Sequence, residues 1–77
     1  MKIIIDTIYK KMEFCLDEVN TNTDLTDEEL IIYQTAYKTY IDVLCTINSN
    51  SIDDEISSHI IKKRNELKKY CLEKGYK

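Results

Sequence analysis

Leu25-Thr26-Asp27-Glu28-Glu29-Leu30-Ile31-Ile32-Tyr33 is the stretch whose reading decides the fold. Thr26 to Glu29 has the S/T-x-x-E form of a capping box. The Thr26 hydroxyl accepts a hydrogen bond from an orphan amide of the first turn, and the Glu29 carboxylate reaches back to the amide of the cap. Asp27, Glu28 and Glu29 suit the positive end of a helix dipole. Leu25, just before the cap, is placed to pack on Leu30 as a staple. A helix therefore starts at Asp27.

From this start, Leu30, Tyr33, Tyr37, Tyr40, Ile41, Leu44 and Ile47 fall on one stripe. Ile32, Ala36 and Val43 form a second ridge beside it, so about half the circumference is apolar. A face that wide predicts a helix set between two neighbours, the middle of a bundle.

Upstream, Asn20-Thr21-Asn22-Thr23-Asp24 is polar and reads as a loop whose side chains bond their own backbone. Before it, Ile5, Ile8, Met12, Cys15 and Val19 alternate steps of three and four, widened by Tyr9 and Leu16. That rhythm is helical. Downstream, Asn48-Ser49-Asn50-Ser51 reads as a second loop, with Ser51 or Asn50 as cap of a last helix. Ile52, Ile56, Ile60, Leu67, Tyr70 and Cys71 share one face of that helix. Lysines gather towards its end and Gly75 supplies a stop. The sequence thus predicts a single all-α domain over residues 1–77, a three-helix up-down-up bundle with helices at about 2–19, 27–47 and 52–74.

Composition agrees. One glycine and no proline disfavour the tight turns that sheets need. A hydrophobic share of 43% against 32% charged fits a folded domain rather than a disordered tail. A chain this short buries only about 60% of its unfolded surface, so its stability is a few kcal/mol unless a partner or second copy adds buried area. It also leaves little room for a deep catalytic pocket of roughly 300–1,000 Å³. No enzyme is expected.

No run approaches the ~18 apolar residues that span a bilayer, and the charge at Asp6 interrupts Met1-Lys2-Ile3-Ile4-Ile5 too early for a secretory leader. A cytoplasmic protein without membrane contact is expected. Cys15, Cys45 and Cys71 are odd in number and widely spaced, so they read as reduced, small apolar core residues. Ten lysines to one arginine, with twelve isoleucines, point to an AT-rich genome. Low-GC bacteria, their phages or plasmids, and large AT-rich viruses fit.

Candidate chemistry is sparse. His59 could act with Glu55, one turn earlier, as its orienting carboxylate, yet the nearest cysteine in sequence is Cys71. The same two residues do not complete a metal site. The reading preferred for His59 is a helix residue at the edge of the core stripe, with no catalytic residue, metal or cofactor expected.

Charge is more informative. Seven acidic and no basic residues lie between Glu13 and Glu29. Such a surface can meet a basic partner, and Asp17, Glu18, Asp24, Asp27 and Glu28 are its candidate contacts. Against that, several of these acids also serve a helix start. Ile61 and Leu72 fall on one side of the last helix, about 100° from its core line, a satellite ridge suited to a partner or a second copy. Ile31 and Phe14 also sit off the main stripes. Lys62, Lys63, Arg64, Lys68, Lys69, Lys74 and Lys77 make the opposite pole basic. The first five are the candidate nucleic-acid contacts, although a single arginine limits base readout.

The run Leu25 to Leu30, followed by Tyr33, Ala36 and Leu44, resembles the central helix of the haemolysin-expression-modulating family. Those small helical proteins bind a nucleoid-associated silencer, and the resemblance implies modulation of transcription through such a partner. It covers residues 25–44 and shares its strongest element with the general capping pattern. Lys38 stands where that family presents an acidic residue, and the last helix lacks the family's tail.

The expected function is a non-enzymatic interaction protein, a phage-, virus- or plasmid-encoded inhibitor or regulator of a larger, unidentified host protein. Homodimerisation is compatible with it. A nucleic-acid-binding or transcription-modulating role for the basic last helix is the alternative.

Overall fold

A computed structural model describes residues 1–76, and Lys77 of the basic pole lies outside the described residues. Three helices follow one another: α1 (Lys2–Thr21), α2 (Asp27–Asn50) and α3 (Asp54–Lys74). All three pack together in the all-α bundle that the sequence predicts.

The helix ends show local chemistry at work. The Thr26 hydroxyl accepts from the Glu29 amide at 3.2 Å, and the Glu29 carboxylate accepts from the Thr26 amide at 3.3 Å. The capping box is complete. Gly75 closes α3 at φ 73°, a left-handed conformation that a residue without a Cβ adopts freely.

Two predicted loops are shorter than expected. α1 continues through Asn20 and Thr21, whose side chains donate to the carbonyls of Leu16 and Asp17. α2 runs on through Asn48, Ser49 and Asn50, because polar residues cost a helix only tenths of a kcal/mol and neither glycine nor proline stops it. The cap of α3 is consequently Asp53, not Ser51 or Asn50, and accepts from the Glu55 amide at 2.9 Å. Ile52 is left in the linker, fully exposed instead of in the core.

The middle helix is α1, not α2. Ile5, Ile8, Tyr9, Met12 and Cys15 of α1 are buried, against Leu44 alone on α2 and Ile60 and Leu67 on α3. α1 packs most extensively on α2 and less on α3, while α2 and α3 touch least. The molecule measures 43 × 25 × 18 Å. It is a slab two helices thick, with α1 bridging the other two.

Part of the wide apolar face of α2 therefore has no cover. Ile32, Ile41 and Val43 of that face are exposed, as is Ile31 beside it. Among the described residues, eight apolar side chains are buried and eleven large ones are exposed. The surface area is 5761 Å², against about 4,900 Å² for a typical monomer of this mass. The surplus, about 900 Å², is close to the roughly 800 Å² that each partner contributes to a standard interface.

Candidate interaction groove

Because α2 and α3 diverge above α1, a groove opens between them. It has a volume of about 580 Å³. Tyr9 and Met12 of α1 form its floor, Tyr37, Ile41, Leu44 and Cys45 one wall, and Ile60, Leu67, Cys71 and Leu72 the other. Tyr9 fixes the floor by donating to the Ile60 carbonyl at 3.3 Å. Burial raises the pKa of the Tyr9 phenol, the nearby Arg64 guanidinium opposing that shift. Burial likewise raises Tyr37.

The lip is charged with one sign. Arg64 and Lys68 line the α3 side, and no carboxylate lines the groove among the described residues. Neither cation forms an ion pair among the described residues, whereas Lys63 approaches Asp6 at 3.7 Å and Glu66 at 3.4 Å, and Lys69 reaches Glu73 at 4.0 Å.

The predicted contact residues distribute unevenly about this feature. Leu72 stands at the groove wall, 81% exposed. Ile61 is exposed on the same helix but does not line the cavity. Two carboxylates of the acidic set are engaged within the fold. Oδ1 of Asp17 accepts from the hydroxyls of Tyr70 at 2.6 Å and Tyr76 at 2.7 Å. Glu18 accepts from the Asn22 side chain at 3.0 Å. The Asp24 backbone amide donates to the Asn22 side chain in the turn, and Asp27 and Glu28 lie exposed in the first turn of α2. These five residues surround a helix junction, not a cavity.

The basic candidates spread around α3. Arg64 and Lys68 face the groove, Lys63 turns towards α1, and Lys62 lies beside Lys2 and His59. They do not form the single stripe that follows a phosphate backbone.

His59 is oriented by Asp6 across the α1–α3 interface at 2.6 Å, not by Glu55. That bond holds the Asp6 carboxyl below its ordinary value of 3.8, with Lys63 assisting. The pair braces two helices. Among the described residues no group of three or more His, Cys, Asp or Glu is arranged to hold a metal ion. No described helix is long and apolar enough to cross a membrane.

The cysteines divide. Cys15 is buried, Cys71 half-buried and Cys45 exposed, so Cys45 is a groove residue and not the core residue its type suggests. Burial raises the thiol pKa of Cys15 and of Cys71.

Sequence reasoning missed Ile41 and Cys45 as site residues. Ile41 lies on the stripe that also supplies the core, and only the divergence of α2 from α3 exposes it. The chain matches no protein-family model, no curated protein and no solved structure.

Proposed function

We propose that the chain is a non-enzymatic protein–protein interaction module that binds a larger protein through the α2–α3 groove. One observation carries this reading. The groove concentrates Ile41, Leu72 and the edge of the core in a continuous apolar depression. A chain of this size has little buried area to spare, and covering that surface adds stability that an isolated monomer lacks. In a cytoplasmic setting, with an AT-rich gene of phage, viral or plasmid type, such a module acts as a regulator or inhibitor of host machinery.

A photo-crosslinking side chain at Leu72, compared with one at Ile32 outside the groove, tests the reading in extract of the native host. A discrete adduct at Leu72 alone, with slower alkylation of Cys45 in the same mixture, is the expected result. Equal labelling at both positions, or none, removes the groove as the binding surface. The nucleic-acid alternative draws on the net charge of α3 but not on the arrangement of its lysines. DNA affinity that falls steeply with salt and is lost on charge reversal at Lys62 and Lys69 would favour it instead.

A further inference from the structure

The occupant of the groove can be specified by its shape and its charge, a step that rests on the interaction reading above. From Ile60 to Leu72, α3 rises about 18 Å, and from Tyr37 to Asn48, α2 rises about 17 Å, at 1.5 Å per residue. Both walls are therefore about three helical turns long. Two diverging helices over a third leave the position that a fourth rod fills in a four-helix bundle. The apolar floor requires a stripe of aliphatic side chains on that rod. Arg64 and Lys68 at the lip, without an acidic neighbour in the lining, require carboxylates beside the stripe.

We infer that the groove receives an acidic amphipathic helix of about three turns from a partner protein, with Arg64 and Lys68 pairing its flanking Asp or Glu residues. A second copy of this chain fits less well. Groove-to-groove packing about an axis across the grooves sets Arg64 and Lys68 of one copy against those of the other, where like charges cost affinity. About an axis along the grooves, it sets both cations against the α2 wall, whose lining offers no carboxylate among the described residues. Docking the exposed face of α2 into a neighbour's groove is a head-to-tail contact, which propagates into open chains unless it closes into a ring.

The probe is a library of side-chain-stapled helical peptides with a fixed leucine stripe and flanks varied between glutamate and lysine. Binding is read by anisotropy and by protection of Cys45 from alkylation, and the protein alone is examined by sedimentation. Glutamate-flanked members should bind at least about tenfold more tightly at low salt, protect Cys45, and weaken as salt rises. Arg64→Glu with Lys68→Glu, both on the exposed lip, should reverse the preference while helicity stays unchanged. If lysine-flanked peptides bind equally well and protect Cys45, the groove is a helix receptor and the acidic assignment is wrong. If no peptide protects Cys45, the receptor reading itself fails. If the protein alone assembles and Leu72→Glu disperses it, the occupant is a second copy and the partner assignment is overturned.

Discussion

The Tyr70 hydroxyl donates to Oδ1 of Asp17 at 2.6 Å, tying the last turns of α3 to the end of α1. Tyr76 donates to the same oxygen, and the two rings meet edge to face with centroids 6.0 Å apart. An acid that the sequence offers as a partner contact is thus part of the fold.

This clasp has an alkaline signature. The Asp17 hydrogen bond pushes both phenols above their ordinary 10.0, because ionising them removes a donor and sets an anion beside a carboxylate. A raised folded-state pKa contributes stability that is complete below the unfolded value and lost as pH rises through the folded one. Ultraviolet difference titration should show Tyr70 and Tyr76 ionising late alongside the buried Tyr9 and Tyr37, and Asp17→Ala should return Tyr70 and Tyr76 alone towards 10.0 while the end of α3 frays.

The acid side has the opposite sign. Asp6 is held below 3.8 mainly by its His59 hydrogen bond. Its contribution is present above about pH 4 and is lost as pH falls through the lowered value. Urea unfolding at about pH 7 and pH 3 should show a smaller loss for Asp6→Asn than for the parent chain, with the variant weaker at the higher pH.

Core and groove should respond differently to truncation. Ile5 is 0% exposed, and Ile5→Ala should cost about 3 kcal/mol, enough to unfold much of a domain this small at room temperature. Leu72→Ser, at an exposed position, should stay within about 0.5 kcal/mol in the isolated chain. Denaturant midpoints separate the two.

Thr26→Ala removes the acceptor for the Glu29 amide and should cost about 1 kcal/mol. Backbone amides in the first turn of α2 should exchange with solvent faster, and those of α3 should not.

Thiol reactivity should follow the three environments. Cys45 should alkylate first and Cys71 later. Cys15 should react only on unfolding, its thiol being buried and harder to ionise. Mass spectrometry of a timed alkylation gives the order.

Where the sequence was legible, the chemistry was local. Thr26, Glu29 and Gly75 mark helix ends because a cap or a stop is settled within a few residues. The stripe on α1 named its buried residues for the same reason. The apolar breadth of α2 measures the amount of greasy surface and not its cover, so it points to α2 as the middle helix, whereas α1 holds that place and Ile41 stays exposed. Asp6 and His59 lie 53 residues apart. No spacing rule links such a pair, and only the packing of α3 on α1 brings it together.

The sparse packing of α2 on α3 has a mechanical consequence. α3 follows α2 through the short joint Ser51, Ile52 and Asp53, meets it at few points and leans mainly on α1. Hydrogen bonds spread along its length rivet it there, from Asp6–His59 through Tyr9–Ile60 to Asp17–Tyr70. Each wall is thus fastened to the floor and hardly to the other, like two posts on one sill, and a substitution in either seat shifts one post without touching its counterpart.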